Sequence, residues 1–221
     1  MEIRWHGLSC FTIKGDSGTV MTDPYSRKHC GLRRPELSAD IVVANERVDF
    51  LHDLSDISGD FKLFDWAGEY EAKGIHVHAM PAFDKPKGDD SEQDAKKNIL
   101  IYRIDIDGFV ICHLSNIGHK LTNEMNEEIG NVDILFVPIG GNNLSLSPEK
   151  AHEVIEQLEP RVVIPMYYAV PGITLELSPL NDFLKEVGHV DVKKDKVFKI
   201  KKRTDLPADK TEFVVLEPTL G

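Results

Sequence analysis

Two fully apolar strands, Ile134 to Pro138 and Val162 to Pro165, bracket a helix whose start is written into the chain. Ser147-Pro148-Glu149-Lys150 supplies a serine cap and then a proline at the first helical position, where a missing N–H breaks no hydrogen bond. From there to Leu158, Ala151, Val154, Ile155 and Leu158 fall on one face. The result is a strand, helix, strand unit. The chain opens in a different pattern, a β-meander of Ile3 to Trp5, Cys10 to Lys14 and Thr19 to Thr22. Gly7 and the turn Gly15-Asp16-Ser17-Gly18 punctuate it. Strands in both halves with helices outside predict two packed sheets under helical outer layers.

Between these units, Ile41 to Ala44, Lys62 to Phe64 and Ile75 to Met80 read as strands. Asn98 to Asp105 and Phe109 to Leu114 form a hairpin, with Asp107-Gly108 supplying the turn. Ser178-Pro179 repeats the Ser-Pro opening and predicts a helix from Pro179 to Val187, after which Lys196 to Ile200 and Glu212 to Leu216 return to strand. The stretch from Asp84 to Lys97 is too polar to bury and is expected to be a surface loop or flap. A length of 221 residues suits one α/β (α+β) domain over 1–221, with a core and a cleft but no second catalytic domain.

A net charge of -11 works against attraction to nucleic acid or anionic lipid. No apolar run approaches the 18 or so residues of a membrane span, and the N-terminus carries no signal-peptide pattern. Three cysteines without CxxC spacing suit free thiols in a reducing compartment, so a cytoplasmic location is expected. Cys10 and Cys112 sit in strand-like runs, whereas Cys30, in a polar loop beside His29, is a candidate exposed thiol.

Eight short pieces then occur in a telling order. They are Trp5-His6-Gly7-Leu8-Ser9-Cys10-Phe11, Thr22-Asp23-Pro24, Gly68-Glu69-Tyr70-Glu71, Lys97-Asn98, Ile111-Cys112-His113-Leu114, Ile117-Gly118-His119, Val137-Pro138-Ile139-Gly140-Gly141 and the run from Glu159 to Met166. With them the chain resembles the small, single-domain, Zn-dependent-hydrolase-like branch of the metallo-β-lactamase superfamily. The resemblance implies a four-layer αββα sandwich with its active site at one edge of the sheets. It also implies metal chemistry, in which bound ions acidify a water and polarise a carbonyl or phosphoryl group.

Carried over residue by residue, the ligand positions of that resemblance are mostly changed. The usual Thr-His-x-His-x-Asp-His loop falls on Asn45, Arg47, Asp49 and Phe50, with only Asp49 kept. A further histidine falls near Asp84, the bridging aspartate on Asn116 and the last histidine on Tyr167. Arg47 and Phe50 cannot ligate a cation, and Asn45, Asn116 and Tyr167 are poor zinc ligands. The leading expectation is therefore a metal-free, inactive binding or structural module with no cofactor. Its vestigial pocket comprises Asp23, Asn45, Arg47, Asp49, Phe50, Asp84, Asn116 and Tyr167. Arg47 would pair with Asp49 or Asp84 there, and a small anionic molecule is the candidate ligand.

The competing expectation is an active hydrolase of phosphoesters or lactones with a rearranged or metal-independent site that uses Asp49, Asp84, His113 or His119, with Zn or Mn as the cofactor where it is metal-dependent. His6 has exchanged places with Leu8 relative to the branch's usual Trp-Leu-Gly-His-Ser, which predicts that it faces away from the pocket. His76 and His78 share a strand face and read as surface residues. No Gly-x-Ser-x-Gly elbow is present, and Gly140-Gly141-Asn142-Asn143 reads as backbone geometry at the cleft rim. Assembly state is left open.

Overall fold

A computed structural model of the chain describes residues 1–45, 51–84, 98–189 and 192–221. Strands β1 (Glu2–Trp5), β2 (Phe11–Lys14) and β3 (Thr19–Thr22) form the antiparallel meander, with Ile3, Trp5, Phe11 and Ile13 alternating inward. After the one-turn α1 (Arg27–Cys30) come β4 (Leu37–Ser38), β5 (Ile41–Val43), β6 (Ile57–Ser58) and β7 (Lys62–Phe64). Then follow β8 (Gly68–Ala72), β9 (Ile75–Phe83), β10 (Asn98–Ile106) and β11 (Phe109–His113), which pair antiparallel in sequence. The second half alternates α2 (Asn123–Ile129), β12 (Ile134–Pro138), α3 (Pro148–Leu158), β13 (Val162–Met166) and α4 (Leu180–Glu186). Short strands β14 (Lys194–Asp195), β15 (Phe198–Lys199), β16 (Glu212–Phe213) and β17 (Val215–Leu216) end the chain.

The main sheets run β15-β1-β2-β3-β5-β7 and β16-β13-β12-β11-β10-β9-β8. They face each other across one apolar cluster, in which Phe11 of β2 stacks on Phe136 of β12 at 4.1 Å and Trp5 meets Tyr168 at 4.8 Å. β12 and β13 are buried along their whole length because α3 covers one face and the other sheet the opposite one. The Ser147 hydroxyl accepts from the Lys150 N–H, and Ala151, Val154, Ile155 and Leu158 are the buried face of α3, as the sequence predicts. α4 packs beside α3, and α2 lies by β9 and β10, where Arg103 donates to the Ile129 carbonyl and His78 meets Glu128 at 3.1 Å.

Three local expectations need correction. Ser178 does not cap α4, because its backbone bridges to Gly140 and Ala169; α4 starts after Pro179 with no side-chain cap. Cys30 is buried at the end of α1, its thiol donating to the Ser26 carbonyl at 3.6 Å. The closing strands are also shorter than their apolar runs, with β16 and β17 joining different sheets. The predicted loop or flap at 85–97 lies outside the described residues. No described helix is long and apolar enough to cross a membrane.

Candidate functional site at the strand ends

β3 and β5 are parallel neighbours, as are β11, β12 and β13, so their C-terminal ends gather at one edge of the sandwich. Three of these strands run into a residue with positive φ: Asp23 after β3 (36°), Ser115 after β11 (49°) and Tyr167 after β13 (57°). Aspartate tolerates that region better than most side chains, but a bulky tyrosine does not, and backbone strain concentrates where a site over-determines it. Tyr167 is held by its N–H to the Leu8 carbonyl at 3.0 Å, and Leu8 itself has φ of 47°.

Asp23 is the hub. Its Oδ2 lies 2.8 Å from His113 Nε2, and neither side chain is exposed. Its Oδ1 accepts from the Asn45 amide at 2.9 Å, and the same amide reaches the Ser115 hydroxyl at 3.0 Å. Asn45 Oδ1 in turn accepts from the Leu100 N–H of β10, so a single side chain ties β5's end to both sheets. With Nε2 donating to the carboxylate, His113 Nδ1 is left as a lone pair without a partner among the described residues, inside a box of Phe11, Tyr102 and Phe136 rings. Tyr102 closes the box from β10, donating to the Ala44 carbonyl at 2.7 Å; burial first, then the Asp23 charge, pushes its phenol well up.

Two of the expected site residues carry polar atoms with no hydrogen-bond partner among the described residues: Asn116 Oδ1 and the Tyr167 hydroxyl. Both residues are buried. The Tyr167 phenol is pushed up by burial and then by the charges of Asp23, Cys30 and Asp84, so it stays protonated and can donate. Asp84 follows β9 and is half-buried. Arg47, Asp49 and Phe50 lie outside the described residues, and with them the expected Arg47 ion pair. His119 sits apart from the hub, accepting from the Phe83 N–H at 3.1 Å. His6 faces the other way, bonded to Thr12 and the Thr219 carbonyl. Burial pushes Cys10 and Cys112 up to about 12, which leaves neither as a thiolate nucleophile at neutral pH.

Beside the hub lies a cavity of about 270 Å³ lined by Asn45, Asp65, Trp66, Ala67, Pro81, Asn98, Ile99 and Leu100. Asn45 belongs to both, so the cavity opens against the residue that holds Asp23. Sequence reading misses Tyr102, the role of Ser115 and, apart from Asn45, the cavity wall, since these side chains hold no ligand position in the motifs. Among the described residues no group of three or more His, Cys, Asp or Glu side chains is placed to hold a metal ion. The described part of the site therefore does not by itself fit one.

Comparison with known proteins adds what geometry alone does not. The family description "Beta-lactamase superfamily domain" matches residues 2–167. A UPF0173 metal-dependent hydrolase of Thermococcus onnurineus is 26% identical, aligned over 99% of this chain and 97% of its own. Another, from Pelotomaculum thermopropionicum, is 27% identical over 76% of this chain and 84% of its own. Among solved structures, a proposed Zn-dependent hydrolase of the metallo-beta-lactamase superfamily from Thermotoga maritima superposes with a TM-score of 0.77. It is 26% identical and covers 97% of both chains. The fold is therefore the metallo-β-lactamase sandwich.

These likenesses overturn the expectation of a metal-free, inactive module without a cofactor. Relatives matched over most of the chain are named metal-dependent hydrolases, and the structural likeness is to a Zn-dependent one by its description. That expectation weighs side chains only at the superfamily's usual ligand positions. A site that has moved its groups to neighbouring positions escapes such a test.

Proposed function

Since the chain belongs to the beta-lactamase superfamily, whose domain spans residues 2–167, we propose that it is a metal-dependent hydrolase of a phosphoester or lactone with a rearranged site. The observation that carries this reading is the pair of polar atoms, Asn116 Oδ1 and the Tyr167 hydroxyl, that have no partner among the described residues at the strand ends carrying the Asp23 hub. Buried polar atoms are nearly always paired, and those left open at strained strand ends are suited to receive substrate or its water. Metal dependence enters from the names of the relatives. A bound ion would supply a polarised oxygen and an acidified water.

Tyr167, kept protonated, donates a hydrogen bond to a substrate oxygen on which negative charge grows as water adds. Asn116 Oδ1 accepts from a proton-bearing group, either the attacking water or a substrate hydroxyl. Asp23 has both oxygens engaged and no exposure, so it acts as a positioning residue, fixing Asn45 and His113. The test is turnover of a phosphodiester and a lactone probe by the intact protein and by Tyr167→Phe and Asn116→Ala. Losses of about 100- to 1,000-fold in kcat with folding intact support the reading, on the scale of one lost transition-state hydrogen bond. Wild-type rates in both variants refute it.

A further inference from the structure

The cavity beside Asn45 has a wall that the hydrolytic reading does not use. Trp66 is 60% exposed, the most exposed large apolar side chain among the described residues, and it lines this cavity. Its backbone is fixed rather than frayed, because its carbonyl accepts from the Tyr70 hydroxyl at 3.0 Å and Tyr70 stacks on Phe64 at 4.4 Å. An indole held open to solvent on a pinned backbone is a platform waiting for a flat partner. Next to it Asp65 lines the same space. Its Oδ2 faces His52 Nε2 at 3.1 Å, which orients the carboxylate, and its Oδ1 takes no hydrogen bond from the described residues. Asn98 adds an amide to the lining, while the Asn45 amide is already committed to Asp23 and Leu100.

We propose that this cavity is a recognition subsite for a planar, amine-bearing heterocycle of the nucleobase kind, its face on Trp66 and its N–H edge on Asp65. An aromatic platform alone accepts any flat ring, so the carboxylate sets the preference: it accepts from an exocyclic amine and repels an anionic edge. Because Asn45 lines the cavity and also holds Asp23, a ring seated on Trp66 lies beside the hub. As a statement about substrate class this rests on the hydrolase reading, whereas ring binding itself does not.

Calorimetric titration of the full chain with adenosine, and with purine riboside, which lacks the amine, tests it. Adenosine is expected to bind at one site and more tightly than purine riboside. Trp66→Ala should weaken adenosine by at least about tenfold, the scale of one lost base stack. Asp65→Asn should weaken adenosine by roughly fivefold and narrow the difference between the two nucleosides. Near-UV circular dichroism of each variant verifies that the fold is kept. Absence of adenosine binding, or equal binding by Trp66→Ala, overturns the subsite. If adenosine binds as described while both hydrolysis probes stay intact, the hydrolase reading fails and the subsite stands. Hydrolysis without adenosine binding removes the subsite and leaves the hydrolase reading in place.

Discussion

Asp23 and His113 meet at 2.8 Å with no solvent reaching either side chain, and this contact joins the first sheet to the second at the edge where the strands end. Removing the imidazole leaves a buried carboxylate oxygen without its hydrogen-bond partner. His113→Ala is expected to destabilise the protein by about 3–5 kcal/mol, read as a lower urea midpoint at unchanged slope. A loss below about 1 kcal/mol, the range of an exposed pair, would show that the contact does not hold the edge together.

Tyr167→Phe should behave in the opposite way. The ring is buried and its hydroxyl has no partner among the described residues, so removing one oxygen costs none of their hydrogen bonds and relieves a desolvated donor. Stability is expected to stay level or rise by about 1 kcal/mol, while turnover falls. Thermal melts and rates on the same sample check both halves; a large drop in Tm would mean that the hydroxyl serves the fold.

A pH effect follows from His6. Burial lowers its pKa from 6.5 to about 4, with Arg4 and Arg34 adding to the shift and the Thr219 carbonyl opposing it. Above pH 6.5 the ring is neutral folded or unfolded, and its full contribution is present. As pH falls toward about 4 the unfolded chain takes up a proton that the folded one refuses, so stability is lost across that window. The loss from this one group reaches up to about 3 kcal/mol. His6→Gln should flatten the stability profile between those pH values relative to wild type; an unchanged slope contradicts the assignment.

Gly140→Ala probes the backbone beside Tyr167. A methyl there would sit 2.2 Å from the Tyr167 carbonyl oxygen and 2.8 Å from Leu177 Cδ2, and the carbonyl belongs to backbone that cannot swing aside. A loss of about 1–3 kcal/mol is expected, as for other overpacked positions. Equal unfolding midpoints for variant and parent would mean that the segment after β13 is free to shift.

The legible parts of the fold are those in which local chemistry and burial agree. Ser147 caps α3 and Asp107-Gly108 turns the hairpin, with φ of 51° and 80°, because each residue type is the one its backbone geometry favours. Ser178 stands in the same Ser-Pro context as Ser147 and fails as a cap, since its backbone pairs with Gly140 and Ala169, contacts that no local pattern records. α2 has a cap of the same kind, the Thr122 hydroxyl accepting from the Met125 N–H, yet the sequence reading names no helix there.

At the site, motif order locates Asp23, Asn45, Asn116 and Tyr167 and the edge they share. It cannot reveal that Asn45 spends its amide on Asp23 and Ser115, or that Asn116 and Tyr167 carry polar atoms that no described residue satisfies. Those are facts of three-dimensional satisfaction. Substituted ligand positions read as lost function, and the relatives named as metal-dependent hydrolases correct that inference.

Metal content read together with turnover decides whether the chain is a metal-dependent hydrolase. The purified full chain is analysed for Zn and Mn and assayed on a phosphodiester and a lactone probe, then stripped with a chelator and reloaded. Hydrolysis of one probe that disappears on chelation and returns with Zn or Mn is the predicted result. Absence of turnover on both probes, as purified and after loading with either metal, would contradict it.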